Sequence, residues 1–413
     1  MQPVDRLAPA PWMLAAESTA VMAALTAGGA PVRYVGGAVR DTVLGRPVPA
    51  DGDIDLATPE PPERVMERLT AAGLKALLSG LEHGTVTAVS GRRHFEITTL
   101  RRDVESDGRH AQVAFEGDWL TDAGRRDFTM NALYLDADGT LYDPCQGRAD
   151  LEAGRVRFVG QAEQRIKEDY LRILRFFRFY AHFGRPPIDA AALAACRQAR
   201  AGLSRLSAER VAAELLKLLA ARDPGPALNV MADCDILAEI VPEARRLRRL
   251  AGLVGLDGDD PDPLRRLGAL LAVDGAGAQS LARRLKLSRA QGERLRALAE
   301  ATLETDLDPA GARRAIYGLG AEGFADAAYL RWAERPEDGR WAAHLALAND
   351  WTVPVLPVDG DDVLALGISP GPQVGCLLAA AEDWWLDGDF QAGREACLEK
   401  LVQLAAAKGK AGV

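Results

Sequence analysis

Cysteine is scarce in this chain: five in 413 residues (Cys145, Cys196, Cys234, Cys376 and Cys397), no two of them spaced as C-x-x-C. That excludes a structural zinc site of the usual spacing and a disulfide framework, and it predicts a reducing cytoplasm. No apolar run approaches the ~18 residues a membrane helix needs, so no membrane segment is expected. Met1 to Pro11 lack a basic stretch followed by an apolar one, which predicts no secretory leader. Positive charge is also short, because 50 Lys and Arg against 59 Asp and Glu leave a net charge of −9. An acidic balance favours a small-molecule enzyme over a nucleic-acid binder unless cations gather in a local stripe, since screening confines charge to ~8 Å at physiological salt. What is present is ordinary for a folded protein: 48% apolar and 26% charged residues exclude disordered and fibrous classes. The length is enough for several cores.

The first 150 residues differ in texture from the rest. Short β-like runs (Val32–Val35, Ile54–Ala57, Val86–Val89, Phe95–Leu100, Leu133–Leu135) alternate with helical stretches such as Pro62–Ala72, which reads as an α/β head. From Gln161 onward the pattern is helical, broken by Gly, Pro and Asp clusters at Gly184–Pro187, Asp223–Gly225, Leu256–Pro263, Arg335–Gly339 and Val353–Asp361. The division expected is a head over 1–150, an all-α neck over 151–223, a body over 224–300 and a tail over 301–413. The tail tryptophans (Trp332, Trp341, Trp351, Trp384, Trp385) read as core and loop anchors.

Two short constellations carry chemistry. Tyr34-Val35-Gly36-Gly37-Ala38-Val39-Arg40-Asp41 reads as a strand entering a glycine pair and then a helix. Glycines there let backbone N–H groups approach a phosphate at the positive end of the helix, and Arg40, one turn on, could reach the same phosphate. Alone, paired glycines more often just make a turn. The second is Gly52-Asp53-Ile54-Asp55-Leu56. On a strand, residues two apart share a face, so Asp53 and Asp55 present two carboxylates together while Ile54 and Leu56 enter the core. An isolated D-x-D is usually a polar strand edge. Two like charges so close repel unless a cation lies between them, and Mg²⁺ is held by one or two carboxylates plus substrate phosphates. Glycine pair, short spacer and D-x-D together fit nucleotidyl transfer, with Asp53 and Asp55 as catalytic metal ligands.

Val35 to Leu56 resembles the head motif of the DNA-polymerase-β-like nucleotidyltransferases, and more narrowly that of class II tRNA CCA-adding enzymes and bacterial poly(A) polymerases. Further runs follow in that family's order: Arg125-Arg126-Asp127-Phe128-Thr129-Met130-Asn131-Ala132-Leu133, then Asp143-Pro144 with Gly147, then Glu168-Asp169-x-x-Arg172-x-x-Arg175-x-x-Arg178-Phe179, and finally Ser207, Arg210 and Glu214. The likeness spans residues 30–220. The body and tail share only their helical character. The resemblance implies a polymerase-β-like head followed by all-α neck, body and tail, with Mg²⁺ as cofactor, tRNA, CTP and ATP as partners, and no protein partner. It implies that Gly36, Gly37, Arg40 and Arg126 bind the nucleotide, Arg126 through its phosphates. Adjacent arginines on a helix would point about 100° apart, so Arg125 and Arg126 are expected to do different jobs. Asp127 and Asn131 read as sugar-side or structural hydrogen-bonders. Glu96 stands where such folds often keep a third carboxylate, or else it partners Arg101 or Arg102.

The segment Gln161–Phe183 reads as one neck helix. Asp169, Arg172, Arg175 and Arg178 recur every three residues and form a drifting stripe; Tyr170, Ile173, Leu174, Phe177 and Tyr180 fill the other side. Without context such a stripe is a solvated face. Within the family it is a protein template for the base. Cytosine and adenine both present an amino donor beside a ring-nitrogen acceptor, which a carboxylate (Asp169) and an arginine (Arg172) complement; guanine and uracil do not. Arg175 and Arg178 either hold the helix in register or meet the phosphates. Arg102–Ala111 is polar and Gly-bearing and resembles the family's flexible loop needed for the terminal A.

The expected activity is template-independent addition of CCA to the 3′ end of tRNA with release of pyrophosphate. Poly(A) polymerase of the same family is the alternative. It is disfavoured because Glu82-His83-Gly84-Thr85-Val86 resembles the CCA-adding subtype, and because Gly91-Arg92-Arg93 falls late in its hairpin and lacks a following Phe. A non-catalytic RNA-binding relative is argued against by intact Asp53, Asp55, Arg126 and Asp169. A nucleotidyltransferase for small antibiotics would have no use for the neck stripe. Longer family members carry a phosphohydrolase domain marked by His-Asp; none of the five histidines here precedes Asp, so no phosphatase or phosphodiesterase activity is expected. Arg245, Arg246, Arg248, Arg249, Arg283, Arg284, Lys286 and Arg289 are either tRNA-backbone contacts or solvated helix faces.

Overall fold

The computed structural model describes residues 1–50, 52–80, 84–107, 110–115, 117–304 and 306–410, with the backbone alone for 79–80, 102–107, 110–115 and 408–410. The chain divides into two compact units. The first takes in Met1–Ala244 and Arg284–Leu287, the second Arg245–Arg283 and Ser288–Val413.

The first unit opens with an eight-stranded sheet in the order β1-β10-β9-β2-β3-β6-β5-β4. Its strands are β1 (Pro3–Arg6), β2 (Arg33–Val35), β3 (Ile54–Thr58), β4 (Lys75–Gly80), β5 (Thr85–Ser90), β6 (Arg93–Thr99), β9 (Tyr134–Leu135) and β10 (Thr140–Tyr142). β7 (Arg101–Asp107) and β8 (His110–Phe115) form a separate antiparallel ribbon. All neighbouring pairs in the large sheet are antiparallel except β3 and β6. That parallel pair sets Asp55 opposite Glu96. Alternation decides the faces: Ile54 and Leu56 are fully buried, as are Phe95 and Ile97 next door, so Asp53, Asp55 and Glu96 share the other face.

Six helices accompany the strands: α1 (Pro11–Leu14), α2 (Ala16–Thr26), α3 (Gly37–Val43), α4 (Pro62–Ala71), α5 (Trp119–Gly124) and α6 (Gly147–Ala153). The helical part of the unit follows: α7 (Ala162–Glu168), α8 (Leu171–Phe183), α9 (Ala190–Ala199), α10 (Ala208–Leu219), α11 (Gly225–Asp233) and α12 (Ile236–Ile240). An α/β head followed by helices is therefore the architecture observed.

Three expectations need correction. Gln161–Phe183 is two helices, not one. The backbone is extended at Asp169 (φ −155°, ψ 108°), whose carboxylate accepts from Leu171 N at 3.1 Å and from Arg210 Nη2 at 2.6 Å. A side chain that caps the next helix and binds a distant arginine outweighs the small gain of continuing the helix. Arg125 and Arg126 do not sit in a helix either; α5 ends at Gly124, and the run beyond it makes one 3₁₀ turn at Thr129–Asn131. The 102–111 stretch, expected as a loop, is mostly the β7–β8 ribbon; Gly108 and Arg109 lie outside the described residues. So do Glu82 and His83.

Aromatic packing ties the head to α8. Phe128 lies 4.8 Å from Phe158 and 5.0 Å from Phe179, and Phe158 stacks on Phe176 at 5.8 Å. Phe128, Phe176 and Phe177 are fully buried. Each such ring stabilises the seam by about 1.5–3 kcal/mol through burial alone.

The second unit is helical: α13 (Leu247–Val254), α14 (Pro263–Leu270), α15 (Gly275–Arg284), α16 (Arg289–Glu300), α17 (Pro309–Glu334), α18 (Arg340–Asp350), α19 (Gly360–Ala365), α20 (Pro372–Asp387) and α21 (Arg394–Lys410). α17 is interrupted at Gly320, whose φ of 74° suits glycine. Trp341 and Trp385 are buried in separate apolar clusters, as the anchor reading expects. Among the described residues no helix is long and apolar enough to cross a membrane.

Candidate active site

The site begins at the junction of β2 and α3. Gly36 caps α3 with φ 77°, and a Cβ there would stand 2.9 Å from Asp55 Oδ2. A side chain at residue 36 would therefore meet the carboxylate as well as strain the backbone, so glycine is required twice over. Gly37 starts the helix, and the Arg40 guanidinium lies 3.7 Å from where its Cβ would be.

Asp55 is half-buried and Asp53 exposed at the strand entry, where Asp53 Oδ1 lies 3.7 Å from His94 Nδ1. Burial raises the Asp55 carboxyl to about 6; Arg126 pulls it down, and Glu96 and Asp53 push it up again. Three acids on one face thus compete for too little positive charge. Among the described residues no group of three or more His, Cys, Asp or Glu side chains is placed to hold a metal ion by itself. An open edge of carboxylates is nonetheless the arrangement that suits a hard cation completed by substrate oxygens.

Arg126 lies beside that edge. It donates from Nε to Tyr134 Oη at 3.2 Å and from Nη2 to Asp122 Oδ2 at 3.0 Å. Arg125 donates to the same carboxylate, Nε to Oδ1 at 2.8 Å, so the two neighbouring arginines share one anchor. Tyr134 Oη also donates to Asp122, at 2.7 Å. Burial alone would raise the Asp122 carboxyl, but Arg126 and Arg125 with the Tyr134 hydroxyl carry it down to about 2. Sequence reasoning missed Asp122 and Tyr134. The available signal was spacing, since Asp122 precedes Arg125 and Arg126 by three and four residues, the distance at which helix side chains meet.

Arg40 is largely enclosed. It donates to both Asp41 oxygens (3.0 and 3.1 Å) and to Asn131 Oδ1 (3.1 Å), and its guanidinium lies 4.2 Å over the Phe183 ring. Asn131 in turn donates to Asp127 Oδ1 at 3.0 Å. Asp127 Oδ2 takes Arg175 Nε at 2.8 Å, and Arg175 with Asn131 brings the buried Asp127 down to about 2 against the upward push of burial.

The neck stripe is paired at every position. Asp169 holds Arg210. Arg172 donates to Glu168 Oε2 (2.6 Å), Arg165 O (2.9 Å) and Arg125 O (3.3 Å). Arg178 donates to Glu214 Oε2 at 2.6 Å, and Arg175 lies 3.8 Å from the other Glu214 oxygen. On the opposite side of α8, Ile173, Leu174, Phe177 and Tyr180 are buried, and Tyr170 is half-buried.

The basic clusters divide. Arg245, Arg246, Arg248 and Arg283 are exposed. Arg249 is spent inside the second unit, donating to the carbonyls of Gly268, Ala269 and Leu271 that end α14. Arg284 binds Glu243, Lys286 binds Glu209, and Arg289 pairs with Glu293 on an open face. The second unit holds a cavity of about 380 Å³ lined by Arg246, Arg249, Leu298, Leu330 and Glu334 among others.

Against known proteins, the family described as "Poly A polymerase head domain" matches residues 32–157. A second family, "Probable RNA and SrmB- binding site of polymerase A", matches residues 187–247. The CCA tRNA nucleotidyltransferase 1, mitochondrial, of Homo sapiens is 36% identical over 380 residues, which is 90% of this chain and 86% of that protein. The CCA-adding enzyme of Streptococcus pyogenes serotype M3 is 41% identical over 203 residues, 49% of this chain and 48% of that one. In three dimensions the chain is similar to the crystal structure of the Bacillus stearothermophilus CCA-adding enzyme in complex with CTP, with a TM-score of 0.78 at 28% identity over 97% of this chain and 99% of that one.

Proposed function

The chain belongs to the family of CCA tRNA nucleotidyltransferases, and from that premise and the geometry of the carboxylate edge we propose that it adds C, C and A to the 3′ end of tRNA from CTP and ATP. The observation that carries the reading is the shared face of Asp53, Asp55 and Glu96 beside Arg126, with Asp55 raised to about 6 by burial and by its acidic neighbours. Such a surface takes up a divalent cation and the triphosphate that comes with it.

Each group then has a task. Asp53 and Asp55 would hold Mg²⁺, which supplies charge neutralisation at the triphosphate. Gly36 and Gly37 leave the backbone open to close approach, and Arg126 faces the phosphates. Arg40, beside Gly37 and held by Asp41 and Asn131, adds its charge for the same phosphates. Asp169 accepts from the exocyclic amine of cytosine or adenine and Arg172 donates to the adjacent ring nitrogen, while Arg175 and Arg178 hold α8 against Asp127 and Glu214. The RNA 3′-oxygen attacks the α-phosphorus, the bond to the β-phosphate oxygen breaks, pyrophosphate leaves, and the hydroxyl proton passes to solvent. Positioning and charge neutralisation suffice, with no covalent enzyme intermediate.

In this division of labour residues 1–150 perform catalysis, 151–223 read the base, and 224–300 with 301–413 hold the RNA. Glu96 completes the acidic face as a third carboxylate. We assign the protein to the cytoplasm on its free cysteines, none of which is disulfide-bonded. The test supplies purified protein, Mg²⁺ and tRNA ending at the discriminator base with each nucleotide alone and together, and sequences the 3′ ends. The expected product ends in CCA. Long A-tails with no C would assign poly(A) addition instead.

A further inference from the structure

Two arginines with different work in the proposed reaction are fixed by one short stretch of chain. Arg126, facing the phosphates, and Arg125 both bind Asp122, which is fully buried and also accepts from Tyr134 Oη at 2.7 Å. The carbonyls of that same stretch then hold the neck. Arg125 O accepts from Arg172 Nη2 at 3.3 Å, and Gly124 O accepts from Arg165 Nη1 at 3.0 Å. Arg165 O accepts from Arg172 Nη1 at 2.9 Å, and Glu168 binds both Arg165 and Arg172. Arg172, the base reader, thus hangs on the peptide of a residue whose side chain is clamped by the carboxylate that clamps the phosphate reader.

We propose that Asp122 is a positioning residue that sets phosphate binding and base choice together, by locking Arg126 directly and Arg172 through the Gly124–Arg125 backbone. This rests on the reading of Arg126 and Arg172 given above. Three side chains, Arg125, Arg126 and Tyr134, meet at the fully buried Asp122 carboxylate, where losing the charge leaves two guanidinium groups short of a partner. If the arginines turn outward they lose this shared anchor, and Arg125 is the residue whose carbonyl holds Arg172. A residue that served only to stabilise the fold would lower the melting temperature and leave the ratio between nucleotides alone. A clamp on both readers alters that ratio.

The experiment compares the full chain with Asp122→Asn and Tyr134→Phe. CTP, ATP and UTP are each followed in steady state on tRNA lacking its terminus, and CTP binding is measured separately without RNA. Asp122→Asn is expected to raise KM for CTP and ATP about tenfold or more, with a smaller fall in kcat, and to narrow the preference for CTP over UTP several-fold. Tyr134→Phe, which removes one donor and keeps the carboxylate, is expected to shift the same two quantities in the same direction by a smaller factor. If Asp122→Asn does not fold, Tyr134→Phe decides alone. A folded variant with unchanged KM and unchanged nucleotide preference overturns the proposal. Should the parent add nothing to RNA, the proposed function fails, while the CTP-binding arm still tells whether Asp122 positions Arg126: equal CTP affinity in parent and variant overturns the clamp.

Discussion

Two sets of partly or fully enclosed aspartates in the first unit sit in opposite electrostatic states. On the β3 edge, burial raises Asp55 to about 6, with Arg126 offsetting part of the rise and Glu96 and Asp53 adding to it. Along the seam to the neck, Asp122 and Asp127 are each gripped by arginine and lowered to about 2. Burial pushes all three upward, so the difference is made by neighbours: at the seam guanidinium groups bond the carboxylates directly and prevail, while at the edge Arg126 does not offset burial and the like charges of Glu96 and Asp53. The seam is complete without a ligand and rigid. The edge is short of positive charge and gains only when a cation arrives. Perturbation of this kind, in both directions within one domain, separates the part that reacts from the part that holds it still.

The contrast breaks most completely at Asp55. Asp55→Asn removes the charge the site uses, and nucleotide incorporation into tRNA should fall by on the order of a hundred- to a thousandfold. The same substitution should stabilise the fold. A carboxyl raised from 3.8 to about 6 favours its protonated form in the folded state. Its ionisation therefore costs nothing below pH 3.8 and reaches about 3 kcal/mol above pH 6. At pH 7 in chelator, Asp55→Asn should melt several degrees higher than the parent, a gain absent at pH 4. A variant that loses activity and melts lower would contradict the strained edge.

At the seam the sign reverses. Asp122 and Asp127 lie below their unfolded value, so the stability they contribute is present above about pH 4 and disappears as pH falls toward 2. A drop from 3.8 to about 2 corresponds to about 2 kcal/mol for each. Acid titration followed by circular dichroism should show the first unit loosening in that window. Loss of structure already near pH 6 would mean the seam is not held by these pairs.

Asp169 offers a finer comparison, since it borders the seam through Arg210 and is proposed to read the base. Asp169→Ala should relax selection of CTP and ATP over UTP and GTP by ~10- to 100-fold, from about 1–3 kcal/mol per base contact. Single-nucleotide incorporation assays check this. Unchanged selectivity would remove Asp169 from base reading and leave it as the partner of Arg210.

How much of this could be read from residues alone varies with the force involved. β3 was plain because Ile54 and Leu56 alternate with the acids, and the α8 core was plain because Ile173, Leu174, Phe177 and Tyr180 repeat at helical spacing. The break at Asp169–Tyr170 was hidden, since the apolar period runs through it and the extended backbone is selected by Arg210, 41 residues away in the chain. Edge strands β1 and β4 have weak patterns and are fixed by their neighbours in the sheet. Asp122 carries no sequence signal beyond its spacing to Arg125 and Arg126. Only the fold shows it fully buried between two arginines and a tyrosine. Pairing within the fold also spends several arginines that looked available for RNA, Arg249 and Arg284 among them.

The smallest effect concerns the exposed cations. Arg248→Ala and Arg283→Ala should each weaken tRNA binding uniformly and reduce the slope of log affinity against log salt by roughly 0.7–0.9. Arg284→Ala, already paired with Glu243, should change the slope less. Equal slopes for all three would make these solvated helix faces.

The central claim is that Asp53 and Asp55 capture a divalent ion and, through it, the triphosphate. Calorimetric titration of CTP with and without Mg²⁺ tests it most directly, on the parent and on Asp53→Asn and Asp55→Asn. Mg²⁺ should tighten CTP binding to the parent and give little or no gain in either variant. The same Mg²⁺-dependent gain in all three proteins would place the ion elsewhere and contradict the account.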